Sequence, residues 1–189
     1  MSAPQLMVRS ACLSRWAWSL GDSKATVAEG VPFAKLAIRS AAWRAVRRHD
    51  GQMTDDQIAQ LLRTTRVIAV VGLSSNPERP SNQVAWYLHH QGYRLYGVNP
   101  NCAGPVFGVP VVPDLASVPE PIDLVNVFRR PSRTPGVARE AVAVGAGALW
   151  LQLGIRHPDA AAIAAEAGLA YVENRCIKID HGRLVGSAV

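Results

Sequence analysis

This sequence of 189 residues has few cysteines, little charge and no long apolar segment. Cys12, Cys102 and Cys176 are odd in number and lie far apart, so neither a disulfide framework nor a CxxC metal site is expected. A reducing, cytoplasmic compartment is the simpler interpretation of this cysteine usage. Charged residues are 18% of the chain, below the ~25% usual for globular proteins. The sequence contains no run of about 18 apolar residues, so it predicts no membrane-spanning helix and no membrane partner.

Basic residues are concentrated near the amino terminus. The chain has a formal net charge of +6, and residues 1–52 hold eight basic against three acidic groups, a net charge of +5. Residues 53–189 hold twelve basic against eleven acidic groups, a net charge of +1. A nucleic-acid-binding protein is expected to have a basic main domain. Residues 53–189 are nearly neutral, so no nucleic-acid partner is expected.

Residues 1–52 also differ from the rest in pattern, with three of the five tryptophans and no sustained helix or strand period. Three interpretations stay open: an organelle transit peptide, a membrane-surface helix, or an upstream stretch outside the native chain, which we favour. We expect little order there and a single domain over residues 53–189. Thr54 and Gln57 have the spacing of a capping box, which predicts a helix directly after Met53.

From residue 53 onward, short apolar runs alternate with segments of helical periodicity. Short hydrophobic runs predict five strands, at residues 67–71, 93–98, 123–128, 148–151 and 169–172, and the first two end at Gly72 and at Asn99-Pro100. Helices are predicted at residues 81–91, 134–144 and 158–167, and a hairpin-like piece with one helical turn at residues 104–121. This alternation predicts an α/β fold, a single doubly wound parallel-sheet (Rossmann-like) domain after a poorly ordered extension.

Polar residues follow the predicted strands, where open parallel sheets bind ligands. The loop after the first strand has one glycine, Gly72, instead of GxGxxG, and the second strand ends in Asn99 rather than an acid, so NAD is disfavoured. A serine-rich turn into a helix, with Arg79 in the loop and Arg129 opposite, suits a phosphate or pyrophosphate. The alternative is that Ser81 only caps the helix and Arg79 is solvated.

Five motifs, each following its predicted strand, resemble one family. They are Ile68-Ala69-Val70-Val71-Gly72-Leu73-Ser74 with Arg79-Pro80-Ser81, then Val98-Asn99-Pro100, Val127-Phe128-Arg129-Arg130-Pro131, Trp150-Leu151-Gln152-Leu153-Gly154-Ile155 and Asn174-Arg175-Cys176-Ile177-Lys178-Ile179. Residues 67–184, which are most of residues 53–184, thereby resemble the stand-alone CoA-binding proteins, whose domain is similar to that of succinyl-CoA synthetase α subunits and NDP-forming acyl-CoA synthetases. Asn174 departs from the Asp common at its position.

The resemblance implies coenzyme A or an acyl-CoA as the ligand. In this family's pattern, Gly72 and Ser74 let the backbone approach the pyrophosphate, and Arg79 and Ser81 supply charge and a hydroxyl. The remaining implied contacts are the adenine-ribose border (Asn99, Pro100), the ligand flanks (Phe128, Arg129) and the pantetheine side (Gln152, Gly154, Ile155). Pro80, Asn174 and Cys176 complete the implied binding set. For three of these residues a structural alternative stays open: core packing for Phe128, satisfaction of backbone groups for Gln152, and an inert buried thiol for Cys176 instead of a mixed disulfide with CoA.

Catalytic motifs are missing from the sequence. Neither an H-x-x-x-H pair, a GxSxG elbow nor a paired-acid constellation occurs, so we expect a binding module rather than an enzyme, without a metal or catalytic residues. Two alternatives stay open: an NAD(P)-dependent oxidoreductase on the same fold, and a partner subunit of a split NDP-forming acyl-CoA synthetase. A homo-oligomer also stays open.

Overall fold

A computed structural model describes residues 53–102 and 104–186. Six strands form a single all-parallel sheet in the order β3-β2-β1-β4-β5-β6. The strands are β1 Val67–Val71, β2 Arg94–Val98, β3 Val111–Val112, β4 Leu124–Val127, β5 Ala148–Leu151 and β6 Ala170–Val172. The expectations for residues 1–52, including the domain boundary at residue 52, lie outside the described residues.

Helices cover both faces of this sheet. They are α1 Asp55–Thr64, α2 Pro80–His90, α3 Thr134–Ala143, α4 Pro158–Ala167 and α5 Ile177–Leu184. On β1, Ile68 and Val70 pack into a core cluster with α1, α2 and α5, whereas Ala69 and Val71 pack into a second cluster with α3 and α4. Burial on both faces explains why β1 is continuously apolar. The doubly wound parallel α/β fold predicted from the sequence is confirmed.

Local sequence signals set several helix ends. The Thr54 side chain accepts the Gln57 N–H at 3.4 Å and the Gln57 side chain accepts the Thr54 N–H at 2.8 Å, so the predicted capping box is present. Helix α4 begins with Pro158. Proline has no backbone N–H, and none is needed there because the N–H groups of a first turn have no partner within the helix. Helix α4 ends at Gly168 in the left-handed region, with φ of +74°.

Two elements were not predicted. Strand β3 has only two residues, too short for an alternating pattern, and it pairs with Gly97 and Val98 of β2. Helix α5 contains Gly182 and little apolar periodicity, yet Ile177 anchors it in the core and it packs against α1 and α2. Between β2 and β4, the expected hairpin-like piece and helical turn are present as a Val106–Val109 bridge and a 3₁₀ turn at Leu115–Ser117. Within the described residues, no helix is long and apolar enough to cross a membrane.

Candidate functional site

Strand order reverses between β1 and β4, and the loops after these two strands meet there. The Gly72 N–H donates to the Val98 carbonyl and the Phe128 N–H donates to the Val71 carbonyl, each at 2.8 Å. Gly72 has φ of +89°, and a Cβ on it would lie 2.6 Å from the Phe128 carbonyl oxygen. The backbone at Phe128, directly after β4, therefore leaves no room for a side chain at Gly72, a reason that the sequence alone did not show.

Arg129 lies against this glycine. Its Nε atom is 3.4 Å from the position that a Cβ on Gly72 would take, and the residue is half-buried. Arg79 is exposed and occupies the N-cap position of α2 without a side-chain capping bond. Helix N-termini and guanidinium groups both favour anions, so this edge offers groups that a phosphate could contact.

Ser81 holds the loop instead of capping the helix. Its hydroxyl oxygen accepts the Ser74 N–H at 3.2 Å, and Asn82 Nδ2 donates to the Ser74 carbonyl at 2.9 Å. Both Ser81 and Asn82 are buried. The N-cap of α2 is Arg79, so the interpretation of Ser81 as the helix cap is wrong. The Ser74 N–H is used within the protein, so it has a partner before any pyrophosphate arrives.

Asn99 connects the loops after β1 and β2. Its Nδ2 donates to the Leu73 carbonyl at 2.8 Å, and its Oδ1 accepts the Asn101 N–H at 3.2 Å. Pro100, beside it, is exposed. The side chain of Asn99 thus fixes the shape of the edge, while Pro100 is the part of this pair that faces solvent.

A pair of buried amides lies between β4 and the end of β5. Gln152 is 4% exposed, and its Nε2 donates to Oδ1 of Asn126 at 2.8 Å. Asn126 is fully buried, and its Nδ2 has no hydrogen-bond partner among the described residues. An unpaired buried donor costs about 1–3 kcal/mol. Asn126 was not predicted as a site residue, although it is the one polar residue within Leu124–Val127.

The loops after β5 and β6 are joined by Asn174. Its Oδ1 accepts the Gly154 N–H at 2.8 Å, and its own N–H donates to the Ile155 carbonyl at 3.1 Å. Asn174 has φ of +54°, a conformation that Asn tolerates better than most residues. Asn174, where Asp is common, therefore still supplies an oxygen that accepts the Gly154 N–H.

Phe128 and Cys176 are both half-buried and pack against the core cluster under α1, α2 and α5. Cys176 also occupies the N-cap position of α5, without a side-chain capping bond. Core packing thus accounts for part of each side chain, and the rest of each remains accessible to solvent.

An ion-pair network supports the loop after β6. Arg175 donates to Asp55 at 2.8 Å and to Asp180 at 2.7 Å, and Arg183 bonds the same two carboxylates. The pKa of Asp55 is lowered chiefly by its hydrogen bond with Arg183, and the hydrogen bond with Arg175 is the second cause. The network ties α1 and α5 to the site, and the sequence did not predict it because its members lie up to 128 residues apart.

A cavity of about 240 Å³ lies at the opposite, amino edge of the sheet. Arg63, Arg66, Tyr93 and His181 are among its lining residues. His181 is buried, which lowers its pKa, and its Nδ1 lies 3.0 Å from the Tyr87 hydroxyl. The C-terminal ends of α1 and α5 and the residues directly after α2 line the cavity, so carbonyl dipoles there oppose an anion. This cavity is a poor phosphate site, and none of the predicted binding residues lines it.

The strand order, with a glycine and an arginine at its switch point, defines a Rossmann-like parallel α/β domain. Comparison with known families makes the class more specific. The CoA binding domain family matches residues 66–182, more than half of the chain, and the chain belongs to this family.

Relatives share the domain over nearly their whole length. The uncharacterized protein YneT of Bacillus subtilis (strain 168) is 38% identical over 125 residues, which are 66% of this chain and 92% of YneT. The solved structure of cell-free ID.343 from Thermus thermophilus is 40% identical with a TM-score of 0.67, covering 70% of this chain and 99% of that one.

A larger protein contains the same fold. The dinucleotide-forming acetyl-coenzyme A synthetase 1 of Ca. Korarchaeum cryptofilum matches 61% of this chain and 28% of its own, with 20% identity and a TM-score of 0.54. At this identity the likeness shows a shared fold alone.

Proposed function

We propose that this protein binds coenzyme A or an acyl-CoA at the carboxyl edge of its sheet and does not catalyse a reaction. The observation that carries the proposal is the position of the Arg129 side chain beside Gly72 at the switch point, in a chain of the CoA binding domain family. An arginine held there can pair with a phosphate of the ligand while the start of α2 faces it.

The rest of the edge supports binding rather than catalysis. Ser81, Asn99, Gln152 and Asn174 each use a side-chain atom to hold a loop or a neighbouring residue. Side chains fixed in this way shape a rigid surface, and a preorganised surface lowers the entropic cost of binding. General acid–base or nucleophilic catalysis instead needs a positioned reactive group next to the ligand.

Calorimetric titration of the full chain with CoA, acetyl-CoA, NAD and NADP tests the proposal. We expect CoA species to bind and the dinucleotides not to bind. Arg129→Gln should weaken CoA binding roughly tenfold or more, because a charge-assisted bond to a phosphate is lost. Arg139→Gln, which removes an exposed arginine on α3, serves as the matched control and should leave the Kd unchanged. Binding of NAD without CoA would favour the oxidoreductase instead.

The fold shared with an acetyl-CoA synthetase suggests a second candidate, a subunit of a split acyl-CoA synthetase. Co-purification of the full chain with a protein carrying ATP-grasp and phosphohistidine domains would favour it. Binding of CoA by the isolated chain, with no such protein retained, favours the stand-alone module.

A further inference from the structure

The two buried amides, Asn126 and Gln152, differ in how near they lie to the proposed ligand. Gln152 directly follows β5 at the carboxyl edge and is 4% exposed, whereas Asn126 lies within β4 and is fully buried. A ligand at this edge can therefore reach Gln152 but not Asn126. Anything that Asn126 does to the ligand must act through Gln152.

One hydrogen bond joins the pair, and it can form in two ways. In the structure, Gln152 Nε2 donates to Asn126 Oδ1 and the Asn126 Nδ2 group has no partner among the described residues. If both terminal amides rotate by half a turn, Asn126 Nδ2 donates to Gln152 Oε1 across the same contact. Val70 and Trp150 flank Asn126 on the neighbouring strands. The Trp150 indole N–H is already bonded to the Arg175 carbonyl. The flanking strands therefore do not select one arrangement.

The two arrangements offer different groups to a ligand. In the arrangement seen, Gln152 keeps its Oε1, an acceptor, for the carboxyl edge. After rotation it keeps its Nε2, a donor. Free CoA ends in a thiol, whose S–H is a weak donor, whereas an acyl-CoA has a thioester carbonyl, which only accepts.

We infer that the Asn126–Gln152 pair lets one site accept both forms of the ligand, because Gln152 presents an acceptor to the CoA thiol and a donor to the acyl-CoA carbonyl. This inference rests on the proposed function. Each ligand selects the arrangement that it binds better, so Asn126 is a positioning residue that acts through Gln152.

Asn126→Asp tests the pair directly. A carboxylate at this position only accepts, so it holds Gln152 with Nε2 inward and Oε1 toward the ligand. We expect the ratio of the acetyl-CoA Kd to the CoA Kd, measured by calorimetry on the full chain at pH 7.5 with a thiol reductant, to rise roughly tenfold. Both ligands have the same phosphates, so the introduced charge cancels in the ratio.

Two further variants separate this role from packing. Asn126→Leu removes both polar groups and leaves Gln152 free to present either end, so the ratio should stay as in the unaltered chain even if both affinities fall. Gln152→Glu can only accept from Asn126 and from the ligand, so it should raise the ratio too, and it provides the test if Asn126→Asp does not fold by circular dichroism.

These measurements distinguish a failure of this inference from a failure of the proposed function. An unchanged ratio in Asn126→Asp and Gln152→Glu, in a chain that still binds CoA, overturns this inference alone. An equal rise in Asn126→Leu also overturns it, since packing then accounts for the effect. If the unaltered chain binds neither ligand, the proposed function fails and this inference fails with it.

Discussion

A Cβ on Gly72 would lie 2.6 Å from the Phe128 carbonyl oxygen, and Gly72 also has φ of +89°. Gly72→Ala thus faces both an overlap with backbone and a left-handed conformation. We expect it to destabilise the fold by about 2–4 kcal/mol in urea unfolding of the full chain. Gly92→Ala is the control, because Gly92 has φ of +85° with nothing within 4 Å of its Cβ position. Its cost should be about 1 kcal/mol, and an equal loss in both variants would contradict the close-approach argument.

Asn174 combines a left-handed conformation with a loop contact, through φ of +54° and the bond from the Gly154 N–H. Asn174→Ala loses both and should cost about 1–2 kcal/mol in the same unfolding experiment. Asn174→Asp keeps an oxygen acceptor and tolerance of this φ, so its stability should stay within about 0.5 kcal/mol of the unaltered chain. If both variants lose equal stability, the Gly154 contact is not what Asn174 supplies.

Helices α1 and α5 are joined by an ion-pair network of Asp55, Arg175, Asp180 and Arg183. The pKa of Asp55 is lowered in the folded state from its ordinary 3.8, so its ionised form stabilises the fold above pH 3.8. This contribution is lost as the pH falls below that value, because the unfolded chain then binds the proton more readily.

Asp55→Asn should therefore lower the urea midpoint at pH 6, and the difference from the unaltered chain should shrink between pH 4 and pH 3. The measurement is a series of urea titrations at low salt, where exposed ion pairs are least screened. Asp56→Asn, which changes an exposed carboxylate in the same first turn, is the control. A constant difference across this pH range would show that Asp55 acts by something other than its charge.

Secondary-structure elements were predicted correctly where the pattern that specifies them lies within one segment of the chain. The apolar run of β1 and the capping box of α1 needed no other part of the chain. Prediction failed for α5, which is held by core packing and by ion pairs to Asp55, distant in sequence. In the site, Gly72 and Arg129 were predicted from the loops that contain them. The contact between Asn126 and Gln152 could not be predicted, because it joins residues that are 26 positions apart.

The carboxyl edge of the sheet combines helix N-termini with several arginine side chains. Helices α2, α3, α4 and α5 each begin after a strand, so their N-termini lie at the carboxyl edge, together with Arg79, Arg129, Arg130, Arg133 and Arg156. Helix N-termini have partial positive charge. A ligand with several phosphates is attracted to this edge, and salt should weaken that attraction.

Hydrogen exchange on the full chain, with and without CoA, locates the ligand. If CoA occupies the carboxyl edge, amides in the loops after β1, β4, β5 and β6 should gain protection, because the ligand adds up to about 2.7 kcal/mol at a concentration of 100 Kd. The amino-edge cavity serves as the comparison, and its lining includes Leu62, Arg66 and Gln91. The backbone amides of these residues should gain only the protection that follows from global stabilisation. Protection confined to these three residues would place the ligand in that cavity. The proposed role of Arg129 would then be wrong, since the loops after β1 and β4 that hold Gly72 and Arg129 lie at the other edge of the sheet.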